Sequence, residues 1–510
     1  MKFKNKRGIT IPTHIIISAV LLIFQLAFLG YALYNITLAS TAIYALTMLF
    51  AVVTVIYILN SHSNPDHKIA WIMFILIFPI FGVTMFFLWG GGNHSKRLKN
   101  RMWDCEKRYA KVFPDDSKIF DRLKYYDLMH ARQAEYLKLE SNNPLYDSSQ
   151  TEFLKCGELF FERLLEELRK AEKYIFIEFF ILAEGKMWNA IYEILKAKVK
   201  QGLEVKVIFD DFGSIKRQRK GFVKKLRSDG IKVSVFNPII PTLNIFMNNR
   251  NHRKIVVIDG HTAFTGGINI GDEYINAEER FGHWADSGIM VKGPAVTSFL
   301  AMFCTMWEFI TREKIEIEKY TNSLEYIAEG FVLPYNDGPL NQNNPAEGIY
   351  LQMINTAQHY VYITTPYLII DNIMKSALIM AAKAGIDVRI ILPHIPDKWY
   401  VHPATRYNYV ELLRAGVKIY EYTPGFIHAK CFVSDDMVAC VGTVNMDYRS
   451  FVFHFECGVW LSGGDTVSEV KEYFKETELL SEEILLEKWR KRPIFQKLKE
   501  AILHVFAPFM

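Results

Sequence analysis

Asn249-Arg-Asn-His-Arg-Lys-Ile-Val-Val-Ile-Asp-Gly-His-Thr-Ala-Phe-Thr-Gly-Gly-Ile-Asn-Ile-Gly271 reads as two short strands joined by a tight turn. His252 and Lys254 stand two apart on a strand-like run, so their side chains share one face. Asp259-Gly260 is a hairpin signal, and the second strand leads to Gly266 and Asn269. The same layout returns 176 residues later as His428, Lys430, Asp435, Gly442 and Asn445, with every spacing kept. One His-x-Lys-x4-Asp is a weak signal. Two copies with Gly and Asn at matching offsets point to an enzyme made of two related halves.

The text around each motif extends the repeat. In the first half, Tyr174–Ile181 reads as a buried strand, Met187–Gln201 as a helix stopped by Gly202, and Val205–Asp211 as the next strand. In the second, Tyr360–Tyr367, Ile373–Ala384 with Gly385, and Val388–Pro393 repeat that order. Alternating strand and helix predict an α/β fold with two duplicated α/β sandwich domains. The expected organisation is a membrane anchor over 1–92, a helical connector over 93–150, a first domain over 151–335 and a second over 346–510. The polar run Asn336–Pro345 would link the two domains.

The chain has 510 residues, 50% hydrophobic, with 60 basic and 55 acidic residues and a net charge of +5. That balance is too mild to indicate a nucleic-acid partner. The six Cys form no C-x-x-C pair and no zinc spacing, so they read as reduced and structural. At the N-terminus a basic cluster, Lys2, Lys4, Lys6 and Arg7, precedes apolar runs at 15–34 and 42–59. This pair reads as a transmembrane hairpin. A third run, 69–89, is broken by Pro79 and Gly82, and a second basic cluster follows at Lys96, Arg97, Lys99 and Arg101. Two spans plus a re-entrant or interfacial segment put both clusters on the inside. The expectation is a multi-pass protein of the cell membrane with its catalytic domains in the cytoplasm.

The catalytic candidates are His252, Lys254 and Asp259 from the first motif and His428, Lys430 and Asp435 from the second. Two neutral imidazoles suit a two-step displacement, one as nucleophile and the other as acid and then base. The two ammonium groups, with Asn269 and Asn445 as substrate-binding amides, would cradle a phosphoryl group whose charge grows in the transition state. Asp259 and Asp435 stand at odd spacing from their His, which favours a structural role over acid or base. Asp286 and Glu456 fall within apolar, strand-like text, where a carboxylate needs a partner. Each is expected to orient the ring of the nearby His, Asp286 serving His252. A cationic Lys beside each His repels a metal ion, so neither metal nor cofactor is expected.

These residues resemble the phospholipase D superfamily, and within it the bacterial cardiolipin synthases. The resemblance runs over essentially the whole chain. It rests on 65–90, Asp210-Asp-x-Gly213, Asn251-His-Arg-Lys254, Gly266-Gly-Ile-Asn-Ile-Gly-Asp-Glu-Tyr274, Thr365-Pro-Tyr367, His428-Ala-Lys430 and Gly442-Thr-Val-Asn-Met-Asp-Tyr-Arg-Ser-Phe451. It implies a phosphatidyltransferase acting on phosphatidylglycerol, with His252 as nucleophile and His428 as the acid. Two positions depart from the pattern: His454 stands where the family often has Asn, and Gly267 where the superfamily often has Ser. A Pro-broken apolar stretch, Pro238–Met247, reads either as ordinary core or as a lip dipping into the interface to admit acyl chains. The basic-apolar segment Trp489–Phe506 reads as an interfacial helix on anionic lipid.

Overall fold

The structure is a computed structural model and describes residues 20, 23–25, 27, 28, 31, 38–61, 65–90, 96–239, 248–322, 324–341 and 344–507. The first basic cluster, most of the first apolar run and nearly all of the Pro238–Met247 stretch therefore lie outside the described residues. Two compact units are present, one formed by 1–95 with 239–248 and the other by nearly all the rest.

In the first unit a helix spans Leu38–Leu59, and its stretch Thr41–Leu59 is long and apolar enough to cross a membrane. The next apolar run is not one helix. It divides into Pro65–Ile77 and Pro79–Met85, because Pro79 has no N–H to continue the ladder. The pieces fold onto each other at Gly82, where a Cβ would lie 2.7 Å from the Ile75 Cα. Trp71 and Phe86 close the contact edge to face, with ring centroids 5.5 Å apart.

The second unit holds the duplication. Its first half contributes β1 (Gln150–Leu154), β2 (Tyr174–Phe179), β3 (Glu204–Asp210), β4 (Lys232–Phe236), β5 (Arg250–Asn251), β6 (Lys254–Ile258), β7 (Thr262–Gly266), β8 (His283–Ala285) and β9 (Gly288–Lys292). The second half contributes β10 (Phe331–Asp337), β11 (Tyr360–Thr364), β12 (Leu368–Ile369), β13 (Asp387–Pro393), β14 (Lys418–Tyr422), β15 (Gly425–Ile427), β16 (Cys431–Ser434), β17 (Val438–Gly442), β18 (Met446–Asp447), β19 (His454–Ser462) and β20 (Ser481–Glu483). The first sheet runs β1-β9-β7-β6-β2-β3-β4 and the second β10-β19-β17-β16-β11-β13-β14-β20. Apart from β20 the two orders are the same permutation, which is the duplication read from the sequence. In each sheet the three strands β2-β3-β4 or β11-β13-β14 are parallel, and the motif hairpin joins them antiparallel.

Local chemistry explains these elements. Strand β2 is buried at every position, so it reads as a continuous apolar run rather than an alternating one. The helix Lys186–Lys200 buries Met187, Trp188, Ile191, Tyr192 and Leu195, at helical spacing, against that sheet. The motif glycines are required by close strand approach. A Cβ on Gly266 would lie 2.4 Å from the Gly288 Cα, and one on Gly442 would lie 2.6 Å from the Gly458 Cα.

Two short strands cross between the halves. β5 pairs parallel with β19, Arg250 opposite His454 and Asn251 opposite Phe455. β8 pairs parallel with β15, Ala285 opposite Ile427. The His252 N–H donates to the Phe455 carbonyl at 2.9 Å, and the His428 N–H to the Ala285 carbonyl at 2.7 Å. Each motif His is thus anchored on the backbone of the other half.

Candidate active site

Those crossings decide which carboxylate meets which ring. His252 Nδ1 lies 2.9 Å from both oxygens of Glu456, and His428 Nδ1 lies 2.7 Å from Asp286 Oδ2. The sequence expectation that Asp286 serves His252 is therefore corrected: the carboxylates are exchanged between halves. The cause is register. β5 runs into His252 beside the β19 residues that run into Glu456, and β8 runs into Asp286 beside the β15 residues that run into His428. All four side chains are buried, and both His line one cavity of about 430 Å³.

The other predicted residues divide into two sets. Lys254 Nζ donates to its own motif's His252 carbonyl at 2.6 Å, and Lys430 Nζ makes the matching contact with the His428 carbonyl. Asn269 and Asn445 both line the cavity. Asn269 is engaged, accepting from the Ile181 N–H and donating to the Tyr274 hydroxyl. The Asn445 Oδ1 is buried without a hydrogen-bond partner. Asp259 and Asp435 do not belong with the catalytic set. They occupy the motif turns with φ of 53° and 56°, a conformation that Asp tolerates. Asp259 accepts the backbone N–H groups of Glu172, Lys173 and Tyr174; Asp435 accepts those of Gln358, His359 and Tyr360. Each acid ties its hairpin to the start of the neighbouring strand, at the end away from the His.

The family described as cardiolipin synthase, PLD-like domain, matches residues 164–307 and 350–477, and a phospholipase D-nuclease N-terminal family matches 48–91. A cardiolipin synthase of Alkalihalophilus pseudofirmus is 34% identical over 479 residues, covering 92% of this chain and 93% of that protein. This chain belongs to the cardiolipin synthase family. An uncharacterized protein of Streptococcus mutans is 41% identical over 460 residues, covering 90% of this chain and 99% of its own. In fold the chain is similar to a phosphatidylserine synthase from Haemophilus influenzae, with a TM-score of 0.58 at 14% identity, covering 74% of this chain and 97% of that one.

The electrostatics of this family member's cavity favour an anionic ligand. Burial, then the charges of Lys254 and Lys430, holds His252 well below its usual range. Burial and Lys430 bring His428 down to about 4. Both rings are therefore held neutral near pH 7. Burial also lowers Lys254 to about 8 and Lys430 to about 7. Burial opposes ionisation of Asp286, but His428 and Lys430 outweigh it and keep the carboxyl below its usual range. A phosphodiester anion beside the two imidazoles would offset, by its charge, the burial cost that lowers Lys254 and Lys430 and would favour protonation of one imidazole.

Several functional neighbours carried no isolated signal in the sequence. Thr443 Oγ1 donates to Glu456, and Trp284 Nε1 reaches Asp286 at 3.4 Å. Phe180 packs edge-on against His252 at 5.0 Å between ring centroids, and Trp284 lies 5.4 Å from His428. His454, the departure from the family pattern, has its ring centroid 5.1 Å from that of His252 and its Nδ1 3.4 Å from Glu456 Oε1. Its Nε2 accepts from Arg449 Nε at 3.1 Å, which puts the ring proton on Nδ1, facing Glu456. Among the described residues, His252, His454 and Glu456 form the group that could ligate a cation. The donor set fits a metal poorly: Glu456 already accepts from His252, and Lys254 and Lys430 place positive charge at the same point.

Proposed function

We infer that the protein makes cardiolipin by transferring the phosphatidyl group of one phosphatidylglycerol to the glycerol hydroxyl of a second, releasing glycerol. The observation that carries this reading is the pair of His–carboxylate dyads whose rings line one cavity, each with a lysine held on the His carbonyl. In the first step His252 Nε2 attacks phosphorus, a P–N bond forms and the P–O bond to glycerol breaks. Glycerol leaves with a proton from His428. In the second step His428 takes the proton of the incoming hydroxyl, whose oxygen attacks phosphorus and expels His252. Glu456 and Asp286 hold the Nδ1–H of each ring, which keeps Nε2 directed at phosphorus and stabilises imidazolium as it forms. Lys254, Lys430 and the side-chain NH₂ of Asn445 supply the phosphoryl cradle.

The lipid setting follows from two apolar surfaces. The helix Thr41–Leu59 supports a membrane anchor. In the helix Ile494–Val505 the apolar side faces outward: Ile494, Phe495, Leu498 and Ile502 are exposed, while Glu500 is buried on Arg492. The helix packs on the helix Val401–Tyr407, with His504 stacked on Tyr407 at 4.0 Å, and the apolar side it leaves outward supports an interfacial role on an anionic bilayer. With the basic clusters on one side, the protein spans the cytoplasmic membrane twice, 69–89 re-enters, and the catalytic unit faces the cytoplasm.

The test is incubation of purified protein with labelled phosphatidylglycerol alone, followed by resolution of the lipids. Cardiolipin and glycerol in equal amounts are expected. Phosphatidic acid without cardiolipin would identify a phospholipase D instead.

A further inference from the structure

The two halves differ in the segment between the motif Asn and the orienting carboxylate. From Asn269 to Asp286 is 17 residues, and from Asn445 to Glu456 is 11, so the first half carries six more. The extra loop brings Arg280 and Phe281 to the cavity wall, where Arg217 also lies. Both guanidinium groups converge on one carboxylate. Arg280 Nη1 is 3.0 Å from Glu273 Oε1, and Arg217 Nη1 contacts the same oxygen. Glu273 is buried, while Arg280 keeps 43% of its side chain exposed.

Charge matching sets this pair apart. Arg250 faces Asp210 at 3.5 Å, Lys398 faces Asp397 at 3.6 Å, and Arg449 lies beside Asp447. The Arg217–Glu273–Arg280 cluster instead carries two cations on one anion. Arg217, Glu273 and Arg280 also line a neighbouring cleft with Glu184, Asp272, Glu278 and Lys216, so the pair stands between that acidic cleft and the active-site cavity. The pair also has a definite side. Arg280 covers the Phe281 ring at 5.2 Å, Phe281 lies 6.3 Å from Trp284, and Trp284 lies 5.4 Å from His428. Its ring contacts therefore lead to His428, the His that handles the leaving and entering oxygens.

We propose that Arg217 and Arg280 seat the phosphodiester of the acceptor phosphatidylglycerol. This rests on the function inferred above and adds what selects the second substrate. The attacking hydroxyl of phosphatidylglycerol lies three carbons from a second phosphate. An acceptor placed with its oxygen at His428 must carry that anion to the wall beyond it, where the two guanidinium forks line the cavity and Arg280 keeps its donors partly exposed. A neutral alcohol or water reacts through the same phosphatidyl-His252 but gains nothing from this subsite.

The test is competition between acceptors. Vesicles of labelled phosphatidylglycerol are incubated with enzyme and a fixed concentration of ethanol, and the ratio of cardiolipin to phosphatidylethanol is measured. Arg280→Gln is expected to lower the ratio about tenfold, the low end of a charge-assisted hydrogen bond's contribution. Arg280→Lys, which keeps the charge and loses the fork, should fall in between. Arg217→Gln should lower the ratio too. A ratio unchanged in both Gln variants overturns the subsite, and so does loss of both products in Arg280→Gln and Arg280→Lys alike. Failure of the underlying function looks different: wild-type enzyme would form phosphatidylethanol and phosphatidic acid but no cardiolipin.

Discussion

The exchanged dyads permit a test that separates the two histidines by step. Asp286 Oδ2 lies 2.7 Å from His428 Nδ1, with both groups buried. When His428 becomes imidazolium, the charge centres lie roughly 4 Å apart, and at an effective dielectric of ~20 their attraction is about 4 kcal/mol. Asp286→Asn removes that stabilisation, so steps that need His428 as acid or base should slow about 10³-fold. Glu456→Gln should slow attack by a similar factor, because the amide no longer fixes the His252 proton on Nδ1 and Nε2 loses its lone pair to the wrong tautomer. Phosphatidyl-p-nitrophenol distinguishes the two, since nitrophenolate departs without a proton donor. Stopped-flow absorbance should show Asp286→Asn retaining a stoichiometric nitrophenolate burst while its turnover collapses. Glu456→Gln should lose the burst. The opposite result, with the burst lost in Asp286→Asn and kept in Glu456→Gln, would refute either the exchange of partners or the assignment of His252 as nucleophile.

Three further outcomes are expected. If Lys254 and Lys430 supply the positive charge, as proposed, activity should survive EDTA; loss on chelation with recovery on adding a divalent ion would reject this chemistry. The lysines give opposite pH dependences for binding and stability. Lys430 and Lys254 ionise at about 7 and about 8 rather than 10.5, so the unfolded chain binds more protons above pH ~7 and these groups make stability rise with pH toward ~10.5. Anion affinity should fall over the same range, so KM for phosphatidylglycerol rises above pH ~8. Lys430→Met should raise the unfolding midpoint in detergent while lowering transfer by at least ~10²-fold, and a lowered midpoint would contradict the burial cost. For topology, a membrane-impermeant thiol reagent on intact cells should label a cysteine at Thr37 and miss one at Asn341; labelling at Asn341 would require three spans.

The duplication was readable because it is written in local patterns. Tyr174–Ile181 and Tyr360–Tyr367 declare buried strands by their apolar runs, and Gly202 and Gly385 end equivalent helices, so both sheets follow from text within each half. The break in the third apolar run was equally local, since Pro79 announces it. Turn acids are local too. The odd spacing of Asp259 and Asp435 from their His already points away from the reacting face, and each carboxylate binds three N–H groups at the far end.

Partner choice was not local, and there the sequence misled. Asp286 follows His252 by 34 residues in the same half, and spacing alone makes them neighbours. The pairing that forms is across the duplication, set by two parallel bridges of two and three residues that no periodicity marks. His454 was likewise visible as a letter but not as a neighbour of the reacting ring, because its contact with His252 requires β19 to lie beside β5. The physical consequence reaches beyond naming neighbours. A His whose own half supplied its carboxylate would leave each half a complete dyad. Here each half supplies one His, one Lys and the carboxylate for the other's ring, and each His backbone N–H is also taken by the other half. Neither imidazole can be oriented until both halves have docked, so assembly of the second unit and formation of the reactive pair are the same event.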